Sequence, residues 1–147
     1  MEALQTAKMD ESIVAFLKSQ TAVTLATSSD NIPCCAICFF AYSEKYNALI
    51  FKSNKETMHI VQAIENKELS GSVLPDKLDA TRIKGIQFCG VFFEPEGSVL
   101  NDIQKTYYKK FPLALAVKGN MFAVELTSLK FTDNTLGFGK KLFWSKY

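Results

Sequence analysis

Arginine is nearly missing from this chain: Arg82 stands alone beside sixteen lysines. Bidentate guanidinium clamps on guanine, carboxylate or phosphate are therefore scarce, which argues against sequence-specific DNA reading. Long apolar runs are missing as well. No stretch approaches the roughly 20 residues of a membrane span, and no basic, apolar and small-residue leader opens the chain. The expectation is a cytoplasmic protein that engages no membrane. Cysteine is limited to Cys34, Cys35, Cys38 and Cys89, three of them crowded into one predicted strand. That is no disulfide framework of a small secreted domain, so reduced thiols are expected. Cys35-Ala36-Ile37-Cys38 spells C-x-x-C, but side chains three apart on a strand point to opposite faces and cannot share a metal or form a redox pair. No metal site is expected. Repeats, low-complexity segments and long Gly, Ser or Pro linkers are also lacking, so residues 1–147 read as a single domain.

What is present is an apolar chain of 147 residues, 48% hydrophobic and 22% charged, long enough to bury a core of its own. The net charge of +2 is uneven: Lys130–Tyr147 holds four lysines and one acid, a local +3, which leaves −1 for the remainder. Twelve phenylalanines and five tyrosines superficially suit single-stranded nucleic acid. Most of them, however, fall at strand or helix periods that predict burial, and no basic groove accompanies them, so no nucleic-acid partner is expected.

The coarse reading is α+β. A helix is expected over Asp10–Ser19 with Ile13, Phe16, Leu17 and, on its shoulder, Val14 inward and Asp10 as N-cap. Strand signals follow at Ala22–Thr27, Ile32–Tyr42 and Ala48–Lys52, separated by turn formers and giving two consecutive hairpins. A helix over Glu56–Asn66 places Ile60, Ala63, Ile64 and Val61 on one side. Strands are expected at Leu69–Leu74 and Arg82–Phe93, a third helix at Val99–Phe111 that caps the barrel, and a half-buried strand at Met121–Phe131. Gly85 and Gly90 interrupt the strand Arg82–Phe93. Glycines inside a long strand mark the bulges by which a small antiparallel barrel turns its corners.

The segment richest in chemistry runs from Ala48 to Val73. An apolar strand ends in Lys52-Ser53-Asn54-Lys55-Glu56-Thr57-Met58-His59 and passes into an amphipathic helix. Two hydroxyls, two lysines and the sole histidine fall within eight residues where unpaired helix N–H groups and the macrodipole favour an anion. A phosphorylated ligand is the expected occupant. The plain alternatives are that Ser53 and Thr57 serve only as cap and first-turn residues, that His59 is an ordinary half-buried side chain, and that Lys140, Lys141 and Trp144 are solvated or core residues.

The order helix, hairpin, Ala48–Lys52 strand, Ser53-x-x-x-Thr57-x-His59, helix, strand, then Gly85-Ile86-Gln87-Phe88-Cys89-Gly90 resembles the pyridoxamine-phosphate-oxidase-like FMN-binding split barrels. The closing Phe131-Thr132-Asp133-Asn134, Gly137-Phe138-Gly139 and Lys141, with a tryptophan three residues later, resembles an uncharacterised bacterial branch of that superfamily. The resemblance implies a small antiparallel split β-barrel of six to seven strands with about three flanking helices. It also implies a homodimer with FMN in clefts at the subunit interface. Carried over residue by residue, it gives Ile37 and Cys38 on the strand along which the isoalloxazine edge lies and Lys52 and Ser53 at the strand end near the ribityl phosphate. Thr57, Met58 and His59 match the phosphate-binding helix start. Gln87 is the polar residue offered by the partner subunit, and Lys140 and Trp144 contribute from the tail. Relatives commonly carry an arginine where this chain has Met58, and Lys52, Lys55 or His59 would have to compensate. An FMN-dependent oxidoreductase acting on an unidentified small molecule needs no side-chain nucleophile or acid–base pair, since the cofactor does the chemistry, and the sequence shows neither. Pyridoxamine phosphate oxidation itself is disfavoured by the lack of arginine. The competing class is a non-catalytic flavin-binding or stress-associated ligand-sensing protein.

Overall fold

The computed structural model describes residues 7–136 and 140–147. The chain opens on α1 (Glu11–Ser19), where the Asp10 carboxylate accepts the Ser12 N–H at 2.8 Å and Ile13, Phe16 and Leu17 are buried at helical spacing. β1 (Ala22–Ser29) and β2 (Ile32–Ser43) form a hairpin with a two-residue turn. Asp30 and Asn31 both hold positive φ, 51° and 62°, as a type I′ turn requires and as these two residue types tolerate. There follow β3 (Ala48–Ser53), α2 (Met58–Glu65), β4 (Glu68–Val73), β5 (Lys84–Phe93) and α3 (Gly97–Lys110). A 3-10 turn at Pro112–Ala116 leads into β6 (Asn120–Asp133), and a second at Asn134–Leu136 precedes β7 (Lys141–Ser145).

The strands pair antiparallel in the order β3-β2-β1-β4-β5-β6-β7, and an additional β3–β6 pairing closes six of them into a barrel. β6 is long enough to serve two neighbours on one edge. Its first half pairs with β3, from Ser53↔Asn120 to Ala48↔Glu125, and its second half with β7, from Ser128↔Ser145 to Thr132↔Lys141. The bulge expected from the glycines falls between Cys89 and Gly90. A Cβ at Gly90 would lie 2.5 Å from Val124 Cγ1 and 2.6 Å from Glu125 O, so only glycine lets β5 and β6 approach this closely there.

The barrel interior holds Val23, Leu25, Phe40, Leu49, Phe51, Phe92, Phe122, Val124 and Phe131, joined by the buried faces of α1 and α2. The alternate residues Ala41, Ala48, Ile50, Met121 and Ala123 face outward and form a second cluster with Ile103 and Tyr107 of α3. Two expectations change here. α3 does not cap the barrel but lies along its outer wall, because β3 and the start of β6 are apolar on both faces and need cover on both. The same double burial makes Met121–Val124 buried at every position instead of half-buried. On α2, Val61 and Ile64 are exposed, while Ile60, Ala63 and Gln62 are buried. The helix is turned so that the Gln62 amide accepts from the Thr27 hydroxyl at 2.8 Å and donates to the Ile32 carbonyl at 3.0 Å, fastening it to the β1–β2 hairpin.

Candidate functional site

Three elements meet at one cleft: the end of β3, the start of α2 and one edge of β2. β3 stops at Ser53, Asn54–Thr57 turn the chain, and α2 begins at Met58 with Thr57 as N-cap. The Thr57 hydroxyl donates back to the Asn54 carbonyl at 2.8 Å and lies 3.4 Å from Ser53 Oγ. It makes no capping bond to α2, and the Met58 and His59 N–H groups have no acceptor among the described residues. His59 Nε2 is 2.9 Å from Ser53 Oγ and 4.0 Å from Cys38 Sγ. Four of the expected residues, Cys38, Ser53, Thr57 and His59, are thus drawn together, with Met58 beside them and 62% exposed. Burial lowers the His59 pKa below its ordinary value and so favours the neutral imidazole.

The adjoining edge of β2 is open. Residues 32–39 pair with β1, but pairing with β3 starts only at Phe40↔Phe51. Across the two-residue turn, Ser29 and Ile32 are the closing hydrogen-bonded pair, so the backbone groups of Ile32, Cys34, Ala36 and Cys38 turn to β1. Those of Cys35, Ile37 and Phe39 turn to the open edge. Ile37 therefore offers backbone donors and acceptors to the cleft, while Cys38 presents its side chain toward His59. Cys35 is exposed and Cys38 partly buried, on opposite faces as the period of two requires. Desolvation pushes the Cys38 thiol up to about 11. Two units above its ordinary value, this thiol is expected to alkylate with iodoacetamide about a hundredfold more slowly at pH 8 in the native protein than in urea. Rates read by mass spectrometry check this, and equal rates would contradict a desolvated Cys38 thiol. Among the described residues there is no group of three or more metal-ligating side chains.

Other expected residues lie elsewhere in the chain. Lys52 Nζ turns away from Ser53 and donates to Tyr108 Oη at 3.0 Å and to the Ala114 and Val117 carbonyls at 2.9 and 2.5 Å. It staples the Pro112–Ala116 turn and is spent as a phosphate ligand in this state. Trp144 is buried in the core and its indole N–H donates to the Ala7 carbonyl at 2.8 Å. Lys140 is exposed and close enough to Asp10 to help depress that carboxyl, at the α1 end of the molecule. Gly137, Phe138 and Gly139 of the closing motif lie outside the described residues.

Gln87 sits on the outer face of the sheet beside a shallow trough of about 830 Å³. One row of the strand register floors it: Cys35, Ala26, Ser70, Cys89, Ser128 and Ser145, one residue from each of six strands. All six side chains are small. No sequence signal singles them out, because the row exists only once six strands are in register.

No protein-family model matches the chain. A UPF0306 protein of Photorhabdus laumondii is 33% identical over 131 residues, which cover 89% of this chain and 92% of that one. Among solved structures, a heme binding protein from Mycobacterium smegmatis matches with a TM-score of 0.76 at 12% identity, covering 95% of this chain, which spans 60% of that protein's length. A FAD-binding protein from Mesorhizobium loti matches with a TM-score of 0.69 at 15% identity, over 88% of this chain and 99% of that one. These likenesses establish a shared fold.

Proposed function

We propose a flavin-binding role for this chain, which belongs to the UPF0306 family: its cleft takes FMN and supports a flavin-dependent oxidoreductase reaction on a small molecule. The observation that carries the reading is the convergence of Ser53, Thr57, His59 and two unpaired helix N–H groups beside an open strand edge. The two solved structures named above are described as binding FAD or heme, and their fold is the one seen here.

FMN, when bound, supplies the one- and two-electron chemistry. The Ser53 and Thr57 hydroxyls and the Met58 and His59 N–H groups would donate to its phosphate. The phosphate charge would in turn favour the imidazolium of His59, adding a charge-assisted donor. The Ile37 backbone, turned to the open edge, would hold the ring edge. In a homodimer the trough carrying Gln87 would face the partner's cleft.

The test is a titration with FMN followed by flavin fluorescence, comparing the wild type with a Ser53→Ala, His59→Ala double variant. Saturable binding is expected, weakened by the variant about tenfold or more. No binding, or a variant that binds equally well, would overturn the site. Reduction of the bound flavin by NADH supports the enzyme, whereas tight binding without turnover supports a carrier or sensor.

A further inference from the structure

The structure points to a second binding site, independent of flavin. The segment Phe111-Pro112-Leu113-Ala114-Leu115-Ala116-Val117 is apolar throughout, yet no residue of its 3-10 turn is buried. Leu113 is 89% exposed and Val117 61%. Water-facing apolar side chains in one contiguous run mark a binding surface more often than a fold requirement. The run is also held in place, since Lys52 clamps the Ala114 and Val117 carbonyls and Tyr108 Oη. Between this turn and β2 lies a pocket of about 410 Å³, within the span of small-molecule sites. On its walls Phe39 and Phe111 stack nearly parallel, 5.7 Å apart at 20°.

One cation lines this pocket. Lys110 is half-buried, with Nζ 4.7 Å from the Phe40 ring centroid and 5.4 Å from that of Phe111. It donates to the Gln20 carbonyl and, at 2.9 Å, to the Phe40 carbonyl. An ammonium has three donors, so one remains. No carboxylate lies within ion-pair distance of it among the described residues. Asp76, bonded to Thr21, is the carboxylate whose field reaches it, while burial works against its charge. A half-buried cation on the wall of an apolar, aromatic cavity, with no carboxylate at ion-pair distance among the described residues, calls for an anion with a flat hydrophobic body.

We propose that this pocket binds a small aromatic monoanion, its ring seated on Phe39, Phe111 and Leu113 and its carboxylate or sulfonate on the free donor of Lys110. Because Lys52 fixes the turn before the ligand arrives, little ordering is needed on binding.

The experiment is calorimetric titration of the flavin-free protein with 2-naphthoate and with 2-naphthamide, which has the same shape without the charge. Saturable binding of naphthoate is expected, about tenfold or more tighter than the amide. Lys110→Met should remove that preference while changing amide binding by less than about threefold. Should Lys110→Met fail to fold, Leu113→Asp on the exposed rim serves instead, and it should weaken naphthoate more than naphthamide. Equal affinity for the two probes, absence of saturation, or a preference untouched by the variants would overturn the proposal.

Discussion

Met58→Arg is expected to tighten FMN binding by about ten- to over a hundredfold, the return on one added charge-assisted hydrogen bond of about 1.5–3 kcal/mol. Met58 is the first residue of α2 and is 62% exposed, so an arginine there costs no core packing. From that position the guanidinium reaches the same space as the Ser53 and Thr57 hydroxyls and the unpaired helix N–H groups. It supplies the planar bidentate donor that the rest of the chain, with Arg82 alone, cannot. Parallel fluorescence titrations of the wild type and the variant with FMN check this. Unchanged affinity would place the phosphate somewhere other than the α2 start.

Phe122→Ala is expected to destabilise the fold by about 3–5 kcal/mol, a large share of the roughly 5–15 kcal/mol available to a domain. Phe122 is 1% exposed, and its ring packs between Phe51 at 6.0 Å and Phe92 at 5.5 Å. Those three residues belong to β6, β3 and β5, so the ring sits at the seam where β6 joins β3 and closes the barrel. Neighbouring Met121 and Ala123 are already packed under α3, leaving little freedom for β6 to collapse into the cavity. Urea denaturation gives the number, and a loss below about 1 kcal/mol would contradict a closed, tightly packed seam.

Much of this architecture was legible in the residues. The Asp10 cap, the Asp30-Asn31 turn and the strand-forming runs of β1 and β2 on either side of it each carry a local physical signal. So does the glycine at the β5 bulge. Local pattern misleads where tertiary cover overrides it. Val61 and Ile64 look like core residues on a helical wheel, but the buried hydrogen bonds of Gln62 rotate α2 and expose them. α3 reads as a cap because the continuous apolar runs Ala48–Phe51 and Met121–Val124 announce that both faces need cover but not which element supplies it.

The site was legible in the same uneven way. Ser53, Thr57 and His59 lie within seven residues, so a strand-to-helix turn brings them together almost by necessity. Lys52 looks equally apt in sequence, yet its side chain is captured by carbonyls more than sixty residues away, a long-range event no spacing reveals. The parity that turns the Ile37 backbone, and not that of Cys38, to the open edge follows from the turn type once the hairpin register is known. Gln87, Lys140 and Trp144 lie elsewhere for long-range reasons as well: Gln87 borders the trough on the outer face of the sheet, Lys140 stands near Asp10, and the Trp144 indole is held in the core by the Ala7 carbonyl.

On the proposed reading, the Ser53–His59 turn recognises a phosphate on a flavin. Competition between FMN and riboflavin for the same protein tests it most directly, because the two ligands share the ring and ribityl chain and differ only in the phosphate. FMN is expected to bind at least about tenfold tighter than riboflavin, with the difference shrinking in the Ser53→Ala, His59→Ala variant. Equal affinities, or a preference the variant leaves intact, would contradict it.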